Sequence, residues 1–385
     1  MTWKRPATLS PWAVGVEDDR ISWVGSPENA AAAPSAAKRI DLGDALVTPG
    51  LVDSHTHPIF AGDRSDEAAA RLEGVAYSGG GILRTTAATR AADDAALEAL
   101  VEHRLQGALA AGTTTVECKS GYGLSLAEEL RQLRLLRRVS ARVPVRVVPT
   151  FLGAHAVPPE AASAGEYARH VAAEMIPAVA GEELAAFVDV FVERGFFSVP
   201  DARRVLEAAR TSSLGLKLHA EQMSRTHATE LGIRLGVTSV DHLEQLDAAG
   251  VGTLAASTVI ATLLPGPALV MRDRLPPARA LLDAGARVAL ASDANAGTFG
   301  AFGAMPMVIG LGATLLGMTI GEALAAATAG GAAAIGKDDL GVVRAGAHAD
   351  LVAWDAEHEG AFALRMGDVR PLRIWIGGTE VGLTR

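Results

Sequence analysis

Short apolar runs rich in β-branched residues alternate, along most of the chain, with longer segments whose apolar positions recur at helical spacing. That alternation marks a parallel sheet whose strands are joined by crossover helices. Eight such runs end near His57, Lys119, His155, Glu193, His219, His242, Pro265 and Asp293, and eight strands close a barrel. Between them, Leu97, Leu100, Val101, Leu105 and Leu109 share one helical stripe, and Ser125-x-x-Glu128 has capping-box form ahead of Leu130, Leu133 and Leu136. The ends differ: Val14 to Val24, Ala349 to Trp354 and Ile374 to Thr379 read as short strands with turns. The expected fold class is therefore α/β: a (β/α)8 TIM-like barrel over residues 49–339, beside a small β-sandwich-like layer built from residues 1–48 and 340–385. The Ala-rich stretch 30–37 reads as a surface loop.

A length of 385 residues exceeds the usual ~100–200 per domain but suits one barrel with appendages. Hydrophobic residues make up 49%, enough for a large core, and a net charge of −9 argues against a polyanion-binding surface. The single cysteine, Cys118, cannot form an internal disulfide, and the first residues carry no apolar signal core, so a cytoplasmic setting is expected. From Ala294 to Gly321 no side chain is charged, which by length alone would suit a membrane span. Asn295, Pro306 and repeated glycines interrupt it, and buried packing is the better reading. The expected partners are a small-molecule substrate and, as an assembly, a homodimer, with no nucleic acid and no membrane.

Chemistry enters with His55 and His57, which close the apolar run from Ala45 to Ser54. Residues two apart on a strand point to one side, so both imidazoles leave the strand end together, as a metal with nitrogen ligands requires. A chance pair capping a core strand is the alternative. His55, His57, His155, His219, His242 and Asp293 all fall at the C-terminal ends of predicted strands, where barrel enzymes assemble their sites. His103, His170, His227, His348 and His358 lie elsewhere and are assigned no function. Lys119 shares a strand face with Glu117, which allows an ion pair or a substrate contact. Cys118, one residue off that face, should point toward the helices as a small apolar side chain.

Taken in order, Pro49-Gly-Leu-Val-Asp-Ser-His-Thr-His57, His219 on the fifth predicted strand, Asp241-His242 on the sixth and Ser292-Asp293 on the eighth resemble the amidohydrolase superfamily. Phe60-Ala-Gly-Asp-Arg64, Gly79-Gly-Gly-Ile82, Lys119-Ser-Gly-Tyr-Gly-Leu124, Thr150 to Pro159 and Asp293-Ala-Asn-Ala-Gly-Thr298 resemble, within it, the branch that opens the imidazolone ring in histidine degradation. The resemblance implies hydrolysis of the ring C–N bond of 4-imidazolone-5-propanoate to N-formimidoyl-L-glutamate. It also makes the β segment before Glu17 short, so the first strand of the small layer is expected to be missing or irregular.

By the same resemblance, His55, His57, His219 and Asp293 are the metal ligands, a set that suits one Zn or Fe ion per chain. The fourth strand, Asp189 to Glu193, has no lysine to bridge a second ion, which implies a mononuclear site. His242 is matched to the proton shuttle, with a core histidine as the alternative, and Asp293 shares that task or ligates only. Gln222 stands where deaminases of the superfamily place a glutamate, and is matched to a substrate-ring contact; Glu221 should face away and be structural. Arg64 is matched to the substrate carboxylate, against a loop salt bridge with Asp63 or Asp66. Tyr122 and His155 are matched to substrate, and Asn295, Gly297 and Thr298 to the opened product, against ordinary anchor and turn roles. A deaminase, a hydrolase of another cyclic amide, and a non-catalytic scaffold of the same fold remain as rivals.

Overall fold

The structure, a computed structural model, describes residues 12–26, 38–75 and 80–382. The Ala-rich stretch 30–37 and Gly79 of the glycine motif lie outside the described residues.

Strands β1 (Ala13–Glu17) and β2 (Arg20–Gly25) pair antiparallel, with a register shift between Gly15 and Val16. After β3 (Val47–Pro49) comes the parallel series β4 (Leu51–Asp53), β5 (Thr113–Lys119), β6 (Arg146–Ala154), β7 (Phe187–Val192), β8 (Gly215–Ala220), β9 (Ser239–His242), β10 (Ile260–Leu263) and β11 (Arg287–Leu290). These eight lie side by side in chain order. The ring shuts where Thr56 bridges Ala294 in parallel, with Asp293 N donating to His55 O at 3.0 Å and His57 N to Ala294 O at 2.9 Å. Just below, the Asp53 carboxylate accepts from Ser292 N at 3.0 Å and from Ser292 Oγ at 2.5 Å. Burial pushes the Asp53 carboxyl up to about 7. The fold is thus a (β/α)8 barrel whose first and last strands meet next to the histidine pair.

Two boundaries differ from the sequence reading. Regular pairing of β4 stops at Asp53, before His55 and His57, so the pair sits on the closing seam rather than inside a strand. The seventh barrel strand, β10, ends at Leu263, and Pro265 instead opens the helix Pro265–Met271, where its missing N–H costs nothing.

The crossover helices bury the stripes that their periodicity marks. Leu97, Val101, Leu105 and Leu109 of helix Asp94–Ala110 are buried, as are Leu130, Leu133 and Leu136 of helix Leu126–Ser140. Each such side chain contributes about 1.5–3 kcal/mol by leaving water. Ser125 caps the second helix by accepting from Glu128 N, but the reciprocal half of the capping box is replaced by a Glu128–Arg131 contact at 3.0 Å. Cys118 packs in the main core, as expected for a small apolar side chain.

After the barrel, β12 (Leu351–Trp354), β13 (Pro371–Ile376) and β14 (Thr379–Val381) join β3 in a four-stranded antiparallel sheet of order β14-β13-β12-β3. Among the described residues, only β3 from before the barrel joins these C-terminal strands; the patterned segment Val14 to Val24, expected in the same layer, forms the separate two-stranded sheet β1-β2. The uncharged stretch after Asp293 contains helix Met305–Thr314, with Val308, Ile309 and Leu311 buried. Among the described residues no helix is long and apolar enough to cross a membrane.

Candidate active site and metal centre

A cleft of about 380 Å3, open to solvent, is lined by His57, Arg64, Ile82, Tyr122, His155, Phe191, His219, Gln222, His242, Asp293, Asn295 and Thr298. Residues from seven different strands or their following loops thus converge on one mouth. His55 lies just beneath, fully buried.

The donors are closely spaced. His55 Nε2 and His57 Nε2 are 3.3 Å apart, and Asp293 Oδ1 lies 3.5 Å from the first and 3.4 Å from the second. Donors held tetrahedrally about 2.0–2.1 Å from a zinc ion stand roughly 3.3–3.4 Å from one another. His219 Nε2 is buried with no hydrogen-bond partner, its ring centroid 4.4 Å from that of His55. His55, His57 and Asp293 form one group able to hold an ion, and His55, His219 and His242 form an overlapping one, with all donor atoms in each within 4.8 Å. The residues present fit a single metal ion, with more donors than a four-coordinate ion requires.

Two carboxylates orient these rings. Asp241 Oδ2 lies 2.7 Å from His55 Nδ1, and Asp189 Oδ2 lies 2.9 Å from His219 Nδ1. At His55 the contact is a hydrogen bond, which fixes the proton at Nδ1 and leaves the lone pair on Nε2; at His219 the carboxylate is a close charged neighbour of Nδ1. Burial, reinforced by the neighbouring cations, keeps His55 well below its usual range, and burial lowers His219 too. Both rings are thus neutral donors. Burial alone would lower His242 as well, but Glu244, with Oε1 3.5 Å from His242 Nδ1, outweighs it and raises that imidazole. Asp293 is held below its ordinary value despite burial, through its contact with His57 and the charges of the nearby rings.

Backbone strain helps assemble the set. His242 has φ +85°, Asp293 φ +49° and Glu221 φ +59°, all left-handed and all at strand ends. At β9 this breaks the in-and-out alternation, so the adjacent Asp241 and His242 both reach the histidine cluster.

The wall opposite carries the remaining sequence-predicted residues. His155 stacks on His57 with centroids 5.2 Å apart at 21°, and its Nδ1 lies 3.0 Å from Gly121 O. Tyr122 meets His155 edge-on, at 5.2 Å. Gly121 has φ +114°, and an added Cβ there would press on His155 and Leu152 O at 3.0 Å, so this turn requires glycine. Arg64 is buried, with Nε and Nη2 on Glu67 at 2.6 and 2.9 Å, and a side chain at Gly81 or Gly297 would overlap its guanidinium. Gly297 therefore supports Arg64 from behind and is not among the lining residues. Asn295 spends its amide on its own loop, accepting from Gly297 N and Thr298 N and donating to Asp293 O and Thr298 Oγ1. Gln222 reaches the cleft, whereas the Glu221 carboxylate points away to Thr226 N and Arg225 at 2.8 Å each. Lys119 forms the ion pair with Glu117, at 2.7 Å, and does not line the cleft.

Several functional supports escaped the sequence reading. Asp189 is one, and Glu129 is another: its buried carboxylate accepts from the amides of Gly121, Gly123 and Leu124 at 2.8 to 3.1 Å. Arg90 donates to Gly123 O at 2.7 Å, so the Tyr122 turn is held from both sides. Glu193 accepts from Met223 N and Ser224 N, fixing the backbone beyond Gln222. Asp189 and Glu193 at least carry a signal, a carboxylate at a buried apolar strand or its end, which costs several kcal/mol unless it is satisfied; Glu129 and Arg90 sit in polar helical segments and carry none.

Known proteins agree with this architecture. The amidohydrolase family model matches residues 46–381. An imidazolonepropionase of Paraburkholderia phymatum is 46% identical over 339 residues, covering 86% of this chain and 83% of the relative. One from Rubrobacter xylanophilus is 46% identical over 367 residues, covering 93% and 88%. Among solved structures, an atrazine chlorohydrolase mutant of Arthrobacter aurescens, complexed with zinc and atraton, superposes with a TM-score of 0.77 at 17% identity, covering 98% of this chain and 92% of that one. The barrel, the histidine and aspartate donors at its mouth and the match over nearly the whole chain lead to one conclusion: the chain belongs to the amidohydrolase family, on its imidazolonepropionase branch.

Proposed function

We propose that this site hydrolyses the ring C–N bond of 4-imidazolone-5-propanoate, giving N-formimidoyl-L-glutamate in histidine degradation. The observation that carries the reading is the meeting, in one cleft, of the histidine and aspartate donors with Arg64, a buried guanidinium suited to a carboxylate tail. His55, His57, His219 and Asp293 would hold one Zn or Fe ion, which when bound supplies a Lewis acid that polarises the ring carbonyl and makes water acidic.

The protein's own groups do the rest. Water adds to the ring carbonyl carbon, the C–N bond breaks, and the proton lost by the water reaches the departing nitrogen. His242 carries that proton: it faces the cleft, and Glu244 behind its Nδ1 stabilises the imidazolium formed on the way. Asp293 accepts a hydrogen bond from the attacking water and keeps it aimed. His155, with Nδ1 on Gly121 O, offers Nε2 to a ring N–H, and Tyr122 and Gln222 contact the ring edge. Arg64 takes the propanoate, while Asn295 and Thr298 shape the wall against the opened product. Gln222 cannot cycle a proton, which weighs against a deaminase. In this reading residues 49–339 form the catalytic domain and the terminal segments its supporting layer. The buried, unpaired Cys118 supports a reducing, cytoplasmic setting.

Metal analysis coupled to turnover tests the proposal. Purified protein should carry about one ion per chain and open imidazolone propanoate, with no turnover of guanine, cytosine or hydantoin. Preferred turnover of any of those three would assign another substrate, and a protein with neither metal nor turnover would be a scaffold.

A further inference from the structure

We propose that Lys119 is a positioning residue for the metal-binding His219, acting through Asp189; the inference rests on the metal reading above and deepens it. Lys119 ends β5 with its side chain fully buried. Its Nζ lies 2.8 Å from Asp189 Oδ2 and 3.9 Å from Asp241 Oδ2. Those same two oxygens face His219 Nδ1 at 2.9 Å and His55 Nδ1 at 2.7 Å. The closer contact puts the Lys119 ammonium directly behind the carboxylate that faces His219.

The arrangement has a physical requirement. Glu117 and Asp189 are fully buried on either side of Lys119 Nζ, and without that ammonium between them their charges repel and would move Asp189 off His219. Lys119 prevents this. Glu117 Oε1 holds Nζ from a third side at 2.7 Å and is itself fixed by Thr150 Oγ1 at 2.5 Å. Lys217 is as deeply buried and lies as near to Asp241, at 3.8 Å, and 3.9 Å from Glu117, but it donates to Ser54 O at 3.2 Å and Ala334 O at 3.1 Å and forms no ion pair with Asp189. It serves as the control for burying an ammonium at this depth.

The experiment is zinc affinity of the full-length protein by chelator competition, alongside thermal unfolding of the metal-free forms. Wild-type protein that binds no zinc would sink the metal reading itself. If it binds, Lys119→Met should weaken zinc about 10–100-fold, with a smaller loss in Lys217→Met at comparable thermal destabilisation. The pair Lys119→Met with Glu117→Gln removes one charge of each sign while leaving Asp189 in place, keeps the test available if the single variant does not fold, and should show the same loss. Wild-type zinc affinity in either folded Lys119 variant, or an equal loss in Lys217→Met, overturns the proposal.

Discussion

Arg64 turns away from the aspartates beside it in sequence and locks Nε and Nη2 onto Glu67, at 2.6 and 2.9 Å. Asp66 pairs instead with Arg84 at 2.7 Å, and Asp63 accepts from Ser65 N. The loop salt bridge foreseen as the alternative exists, but with a different acid, and it fixes the guanidinium at the cleft wall rather than in solvent. A charge-assisted hydrogen bond from this guanidinium to a carboxylate is worth about 1.5–3 kcal/mol. Arg64→Ala should therefore raise KM for the propanoate substrate roughly 10–100-fold and leave KM unchanged for an analogue lacking the carboxylate. Equal effects on both substrates would remove the assignment.

His242→Ala should lower kcat about 10²–10⁴-fold with little change in KM. Its metal content should match wild type, which separates proton carriage from ligation, because His242 also lies within donor range of His55 and His219. Loss of the ion in this variant would make His242 a ligand instead.

Removing the metal should cost stability as well as activity. A ligand present at 100 times its dissociation constant stabilises the folded state by about 2.7 kcal/mol, so chelation should lower the unfolding temperature and added zinc restore it. His219→Ala, which removes the partnerless buried Nε2, should show a much smaller zinc-dependent shift. A full shift in that variant would exclude His219 from the ligand set.

Glu129 gives stability a pH dependence. Burial raises its carboxyl above the ordinary 4.5 in spite of four hydrogen bonds. The folded state then holds this proton more tightly than the unfolded chain, so the contribution is complete below about pH 4.5 and is lost as pH rises through the elevated folded value. Glu129→Gln does not titrate, and the stability of wild type relative to the variant should fall with rising pH over that window. Denaturant midpoints at stepped pH measure it; parallel curves for the two proteins would contradict it.

The barrel was legible because its strands are buried on both faces and its helices on one, so the periodicity of Leu97 to Leu109 and the strand-end histidines carry over directly into the structure. Side-chain alternation also placed Glu117 with Lys119 and turned Cys118 toward the core. What stayed hidden depends on contacts across strands. Asp189 looks like an unremarked polar residue in Phe187–Val192, and only the closed ring sets it between Lys119 and His219. The joint arrival of the adjacent Asp241 and His242 at the cluster goes with the positive φ of His242, which no spacing rule anticipates. Glu129 and Glu193 act on backbone amides of other loops, and that partnership leaves no pattern in their own segments.

The seam at Asp53 and Ser292 joins the earliest barrel strand to the latest. A nascent chain leaving the ribosome therefore presents both imidazoles of the seam long before the aspartate that completes their donor set is synthesised. Any fragment ending short of Asp293, whether from premature termination or proteolysis, is a broken circle that lacks both this donor and the clasp that sets the pair in place.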